Sequence, residues 1–441
     1  MVLKVEFLSK ELMIKPSSPT PPHLKTFKLS FLDQIAPPFF IPLIFFFHHA
    51  APADDHGRSS QLLKQSLSKV LTLFYPLAGR IKGNDFVDCS DDGALWVEAR
   101  VHGFLKDVVE NPLMEELEKF VPVEPYSGDN DSELMLGVQV NYFLDGGIAV
   151  GVCVSHKIAD ALSVVNFVNA WAVTARVGDA ARISPPNLGF GSNFFPATTM
   201  GLPGSGFSPA LGLTTEKIVT KRVVFDKENL AALKRSAAAE SSGVGDPTRV
   251  EALSAFLWKH FREAIRKKSQ QASTKKTFRA THNVNLRARM NPPLPGATFG
   301  NLWSLANTTE TASETSPDDD LVFQLRTSIR EINAEYAEAL QNEKWHSEHL
   351  LKWHERFGGE GEAEFLEFTS WCRFPIYEVD FGWGNPVWAC TTTFPYKNFI
   401  VLMSTKCGDG IEAWINIGEE DDDIYMGAGS FTPMPKLHCY Q

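Results

Sequence analysis

Between Ser59 and Phe74 the apolar residues Leu62, Leu63, Leu67, Val70, Leu71 and Phe74 fall on one side of a helical turn, the spacing of an amphipathic helix. The spacing ends at Tyr75-Pro76-Leu77-Ala78-Gly79-Arg80, where proline and glycine stop a helix. Phe39 to Phe47 is apolar almost without interruption. It is too short to cross a bilayer and carries Pro42, so it predicts a buried strand. Phe86 to Arg100 predicts two strands on either side of the turn residues Ser90-Asp91-Asp92-Gly93. The runs Leu136–Phe143 and Ile148–Ser155, joined by Leu144-Asp145-Gly146-Gly147, predict a hairpin, and Asp160 to Arg176 a strongly apolar helix. This part of the chain reads as mixed α/β.

From Pro185 to Thr215, Gly, Pro, Ser and Phe dominate and no period survives, the texture of a linker or a functional loop. The second half restarts with a strand, Lys217–Phe225, and a helix from Asp226. Thr248-Arg249-Val250-Glu251 has the form of a capping box and predicts a helix with Val250, Leu253, Leu257, Phe261 and Ile265 inward. The basic segment Arg266–Lys276 and the acidic segment Thr308–Asp320 read as exposed loops, and strands are expected at Phe374–Asp380, Asn398–Ser404 and Ile411–Ile417. On this reading an N-terminal domain (1–184) and a C-terminal domain (216–441) flank a crossover linker (185–215).

Composition narrows the function classes. The 441 residues suffice for two or three domains, and 44% hydrophobic with 22% charged residues is ordinary globular usage. A net charge of −11 argues against holding a nucleic-acid backbone, but leaves room for a local basic site for a small anion. The six cysteines include no C-x-x-C pair, so neither a zinc ribbon nor a disulfide scaffold is indicated; reduced thiols suit a cytoplasmic protein. Met1–Lys15 lacks the apolar core and cleavage site of a secretory signal, and no membrane association is expected. Cys439-Tyr440-Gln441 is no peroxisomal or retention signal.

Two short segments carry candidate chemistry. His156 stands where the Ile148–Ser155 strand ends and a helix begins, a rigid place from which to aim a side chain. An imidazole titrates near neutrality and can take a proton from a weak nucleophile. The spacing His156-Lys157-Ile158-Ala159-Asp160 is one that 12 histidines in this chain meet by chance about once, and Asp160 also sits where a helix N-cap belongs. Ser155 points the opposite way from its neighbour and is not read as a nucleophile. Asp380-Phe381-Gly382-Trp383-Gly384 is rarer. Its glycines permit a tight backbone, but Asp380 is its one ionisable group, which favours a structural role. His346, His349 and His354 fall in one expected helix without Cys or carboxylate ligands at useful spacing, so no metal is expected. Glu419–Asp423 reads as a solvated turn.

These segments occur in an order that resembles the plant BAHD acyltransferases: Leu32-Asp33-Gln34, Tyr75 to Arg80, His156 to Asp160, Asn285-Leu286-Arg287-Ala288-Arg289-Met290-Asn291-Pro292-Pro293-Leu294-Pro295 with Gly300-Asn301, and Asp380 to Gly384. The resemblance covers nearly the whole chain. Ser155 to Asp160 and Thr369-Ser370-Trp371-Cys372-Arg373 look most similar to the vinorine synthase-like branch, which acetylates alkaloid and other specialised-metabolite alcohols.

The resemblance implies an α/β fold of two similar chloramphenicol acetyltransferase-like domains with a channel between them and His156 at its centre. It implies a monomeric, CoA-dependent O-acyltransferase with no permanently bound cofactor. The expected donor is acetyl-CoA and the expected acceptor a hydroxyl of a plant specialised metabolite such as an alkaloid. His156 would be the general base. The CoA thiolate leaves readily, so no covalent enzyme intermediate is needed. Trp383 is a candidate N–H donor to the oxyanion, or else a residue of the channel. Asp160 would pair with an arginine, Arg287 before Arg289, and support the shape of the site together with Asp380, Gly382 and Gly384. Asp380 itself should be anchored by an arginine or by backbone N–H groups. CoA phosphates call for helix N–H groups and cations, which nominates Thr248, Arg249 and Asn301, with Lys267, Lys268, Lys275 and Lys276 as further charge. Three rivals stand beside this reading: transfer from a longer or aromatic acyl-CoA, a catalytically silent binding protein on the same fold, and a Ser or Cys hydrolase. A hydrolase elbow is absent, since Pro203 and Phe207 flank Gly204-Ser205-Gly206.

Overall fold

The computed structural model describes residues 3–48, 56–126, 133–198, 217–272, 277–308, 320–342, 344–346 and 363–421. It forms two compact units. The first takes residues 1–199, 295–302 and 374–393; the second takes 200–294, 303–373 and 394–441.

The sheet of the first unit orders its strands Val5–Ile14, Ala94–Val101, Leu136–Phe143, Ile148–Ser155, Phe40–Phe47, Trp388–Cys390. The expected hairpin is at its centre, in register from Leu136 opposite Val154 to Tyr142 opposite Ile148. Every residue of both hairpin strands is buried, as strands covered on both faces require. The helices His56–Leu73 and Ala161–Val177 pack against each other, and the indole N–H of Trp171 donates to Leu63 O and Ser66 Oγ at 3.2 and 3.0 Å. Trp171 also meets Trp96 edge to face, which seats the second helix on the sheet. Phe40–Phe47 is the buried strand that its composition predicts, antiparallel to the hairpin from Phe40 opposite Ser155 to Phe47 opposite Ile148.

The second unit repeats the architecture with the strand order Trp303–Asn307, Thr277–Asn285, Ala363–Ser370, Phe399–Ser404, Ile411–Gly418, Ile218–Phe225. Its helix Arg249–Ala272 buries Leu253, Leu257, Trp258 and Phe261 with Phe278, Phe368 and Leu402 of the sheet. The capping box forms: Thr248 N–H donates to Glu251 Oε2 at 2.7 Å and Glu251 N–H to Thr248 Oγ1 at 3.2 Å.

Four features differ from the sequence reading. The helix runs through Arg266 and Lys267 to Ala272 instead of giving way to a loop, because Arg, Lys, Gln and Ala are good helix formers whatever their polarity. Phe374–Asp380 is not a strand; it holds a short 3-10 turn, Ile376–Glu378, and pairs with no ladder. Residues 295–302 and 374–393 belong with the first unit rather than with a C-terminal domain, since Trp388–Cys390 extends the first sheet by pairing with Ile44–Phe46. Residues 185–198 of the expected linker also lie in the first unit and include a short helix, Phe190–Phe194.

The rest of that linker, most of the Thr308–Asp320 loop, His349, His354, Lys275, Lys276, Cys439 and the end of the Glu419–Asp423 turn lie outside the described residues. His346 is buried, with Nε2 2.7 Å from the carbonyl oxygen of Leu340. Among the described residues no group of His, Cys, Asp and Glu could hold a metal ion, and no helix is long and apolar enough to cross a membrane.

Candidate active site

The site is assembled inside the first unit from three stretches far apart in sequence. The first is the Ile148–Ser155 strand, whose last residue hands the chain to His156. His156 N–H donates to Phe39 O at 2.8 Å, which ties the histidine backbone to the neighbouring strand, and the Phe39 ring meets the imidazole edge-on at 5.1 Å. The residue is enclosed by protein yet keeps part of its surface in solvent, as a proton-transfer group must. Burial pulls its pKa down to about 4; Asp160 and the bond to Asn301 oppose the shift without reversing it. Near neutral pH the imidazole is therefore uncharged and able to accept a proton.

The second stretch is Gly300-Asn301-Leu302. Gly300 has φ 133°, a conformation that favours glycine, and Asn301 follows directly beneath the histidine. Asn301 Oδ1 lies 3.0 Å from His156 Nδ1, while its Nδ2 donates to His156 O at 2.7 Å and to Asp33 Oδ1 at 2.9 Å. The residue nominated for CoA thus sits against the histidine, a placement that spacing along the chain does not reveal.

The third stretch, Ser30–Ala36, holds a cluster to which the sequence reading gave no role in the site, although it quoted Leu32-Asp33-Gln34 for the resemblance. Ser30 caps the short helix Phe31–Ile35: its N–H and hydroxyl donate to Asp33 Oδ2 at 2.9 and 2.7 Å, and Asp33 N–H returns a bond to Ser30 Oγ. Lys157, next to the histidine, is buried and donates to the carbonyls of Asp33, Gln34 and Ala36 at 2.6, 3.0 and 2.9 Å. Burial pushes Lys157 down to about 7 and Asp33 pushes it back up, whereas burial raises Asp33. Three acceptors around one nitrogen require three N–H donors, which is the geometry of an ammonium. The S-x-x-D spacing of Ser30 and Asp33 was the signal available in the sequence.

Asp160 caps the Ala161–Val177 helix, with Oδ1 accepting from Ser163 N–H at 2.9 Å. Its Oδ2 accepts from Leu302 N–H at 3.1 Å, and Ser163 Oγ and Gly300 bond reciprocally at 3.0 Å. The carboxylate therefore pins the Gly300–Leu302 stretch to the helix start. Arg287 belongs to the second unit, where its guanidinium lies 3.3 Å from Asn285 Oδ1. Arg289 donates there to Ile329 O and Ile332 O. Also in that unit, Arg249 donates to the carbonyls of Gly408 and Asp409 at 3.0 and 2.7 Å, and Thr248 stands exposed at the helix start.

The Asp380–Gly384 turn lies elsewhere in the first unit. Asp380 Oδ1 accepts from Gly382 N–H and Gly384 N–H at 2.8 and 2.9 Å, and Oδ2 from Arg176 at 2.8 Å, an arginine together with backbone N–H groups. Burial works to raise its pKa, but these donors hold it below the usual carboxylate value. Gly382 and Gly384 have φ of 100° and 86°. Trp383 packs its ring 5.6 Å from Phe47, at the Ile148 end of the strand pair, whereas His156 follows Ser155 at the Phe40 end. Seven strand residues at about 3.3 Å each separate the two by on the order of 20 Å. That corrects the nomination of Trp383: its indole is too far from His156 to donate to an oxyanion there.

Comparison with known proteins identifies the family. The sequence model of the Transferase family matches residues 3–422. Stemmadenine O-acetyltransferase of Catharanthus roseus is 42% identical over 98% of both chains, and vinorine synthase of Rauvolfia serpentina 41% identical over 96% of both. The crystal structure of vinorine synthase superposes with a TM-score of 0.80 at 40% identity, covering 96% of each chain. The chain belongs to this Transferase family, the BAHD acyltransferases. It is an acyl-CoA-dependent O-acyltransferase of specialised metabolism, on the two-domain α/β fold of that family.

Proposed function

We propose that the enzyme transfers acetyl from acetyl-CoA to an alcohol of an alkaloid, with His156 as general base. An alcohol is a poor nucleophile while it keeps its proton. His156 takes that proton as the oxygen bonds to the thioester carbonyl carbon, giving a tetrahedral oxyanion. Collapse breaks the C–S bond, and the imidazolium returns the proton to the departing thiolate. The observation that carries this reading is a half-buried imidazole at the end of a rigid strand, its backbone N–H held by Phe39 O and its Nδ1 by Asn301. The acetyl group and the oxygen acceptor are supported by the name of the stemmadenine O-acetyltransferase above, and the alkaloid class of acceptor by the branch that the sequence resembles.

In this proposal Asp160 and Arg287 support the site's shape, and Thr248 and Arg249 meet the CoA phosphates. The enzyme works as a cytoplasmic monomer without a permanently bound cofactor; Cys89, Cys153, Cys372, Cys390 and Cys407 are in no disulfide, which suits a reducing compartment. The test incubates the protein with a panel of acyl-CoAs and polycyclic alkaloid alcohols and reads products by mass spectrometry. A product heavier by one acetyl group, formed fastest from acetyl-CoA, is expected. A preference for long or aromatic acyl-CoA would replace the donor, and no product from any pair would overturn the reading.

A further inference from the structure

We propose that Asp33, acting through the side-chain amide of Asn301, fixes His156 as the tautomer with hydrogen on Nδ1 and the lone pair on Nε2. The inference rests on the general-base reading above and deepens it. It starts from the carbonyl oxygen of His156, which can only accept. The nitrogen of the Asn301 amide must therefore face it, as it does at 2.7 Å, and the same NH2 group reaches Asp33 Oδ1 at 2.9 Å. Turning the amide over would set Oδ1 against two acceptors. With the orientation fixed, Asn301 Oδ1 is the atom that faces His156 Nδ1 at 3.0 Å, and an oxygen there demands an N–H. In a neutral imidazole that places the lone pair on Nε2.

Asp33 makes the arrangement rigid. Its Oδ1 also lies 3.4 Å from Asn301 N, its Oδ2 is held by Ser30, and its backbone carbonyl is held by Lys157. A carboxylate, an amide and an imidazole thus stand in line: Asp33 orients Asn301, and Asn301 orients His156. Both are positioning residues. In the reaction the acceptor's proton goes to Nε2, the Nδ1–H of His156 keeps donating to Asn301 Oδ1 throughout, and the proton leaves from Nε2 to the CoA thiolate.

The test is the 15N–1H correlation spectrum of the imidazole nitrogens in the unliganded full-length protein near neutral pH, with the His156 signals assigned by their loss in His156→Gln. A protonated Nδ1 and a bare Nε2 are expected; hydrogen on Nε2 overturns the proposal. Asn301→Ala should release the tautomer and lower kcat about 10- to 100-fold, by analogy with metal-bound histidines that lose their orienting partner, with little change in KM for acyl-CoA. Asp33→Asn presents an NH2 group either to Asn301 or to Ser30, and should move the His156 signals toward the Nε2–H form. An unchanged tautomer and kcat in Asn301→Ala would also overturn it. The wild-type spectrum needs neither a foldable variant nor a substrate. It therefore judges the tautomer even if no acyl-CoA and alcohol pair turns over, an outcome that would count against the proposed function instead, and the spectrum of Asp33→Asn judges the relay: His156 signals unchanged there would overturn the part given to Asp33.

Discussion

His156 and the Asp380–Gly384 turn lie at opposite ends of the same strand pair, and each is built around a well-bonded carboxylate. At the turn, Asp380 gives one oxygen to the N–H groups of Gly382 and Gly384 and the other to Arg176. At the strand end, Asp33 gives one oxygen to Ser30 and the other to an amide that reaches an uncharged imidazole. The same chemical group stabilises a backbone bend in one place and orients a proton acceptor in the other. What separates the two cases is what lies beyond the first hydrogen bond.

The comparison breaks if the two regions respond alike to mutation. The largest effect should come from His156→Ala: loss of a general base lowers kcat by about 10²- to 10⁴-fold, read in a steady-state assay, while CoA binding by calorimetry persists. Asp160→Ala should come next, because it removes the N-cap and leaves Leu302 N–H without its acceptor. Losses of about 1 kcal/mol for the cap and about 1–3 kcal/mol for the buried donor are expected in urea unfolding, with kcat falling as Gly300–Leu302 loosens.

At the other end, Gly382→Ala forces a side chain onto a backbone at φ 100° with open space around it. The strain should cost about 1–2 kcal/mol of stability and leave kcat nearly untouched. A large fall in kcat with normal stability would join the turn to the chemistry. Smallest of all, Arg176→Met removes an ion pair whose arginine is half exposed, so less than about 1 kcal/mol is expected. That loss should shrink further in high salt.

How much of this was legible in the sequence follows from what each feature depends on. The hairpin, the Asp160 cap and the Thr248 capping box are local, and period, turn residues and cap residues announce them. The return of residues 374–393 to the first sheet is not local; Trp388–Cys390 is three residues long and pairs with a strand more than 300 positions earlier. Asn301 was visible but chemically mute, since an amide shows its role only once its partners are known. Trp383 erred the other way: a rare motif drew attention to an indole that serves as packing against Phe47 and Phe381.

The central claim is that an uncharged His156 accepts the acceptor's proton, and the pH dependence of kcat/KM tests it most directly. A base works only when unprotonated, so activity must fall as pH drops through the pKa of the free enzyme. With burial holding His156 at about 4, the rate should stay level below pH 6.5 and decline only as pH approaches about 4, with circular dichroism confirming that the fold persists over that range. A decline centred at the ordinary histidine value of about 6.5, or the same acid limb in His156→Ala, would contradict the account.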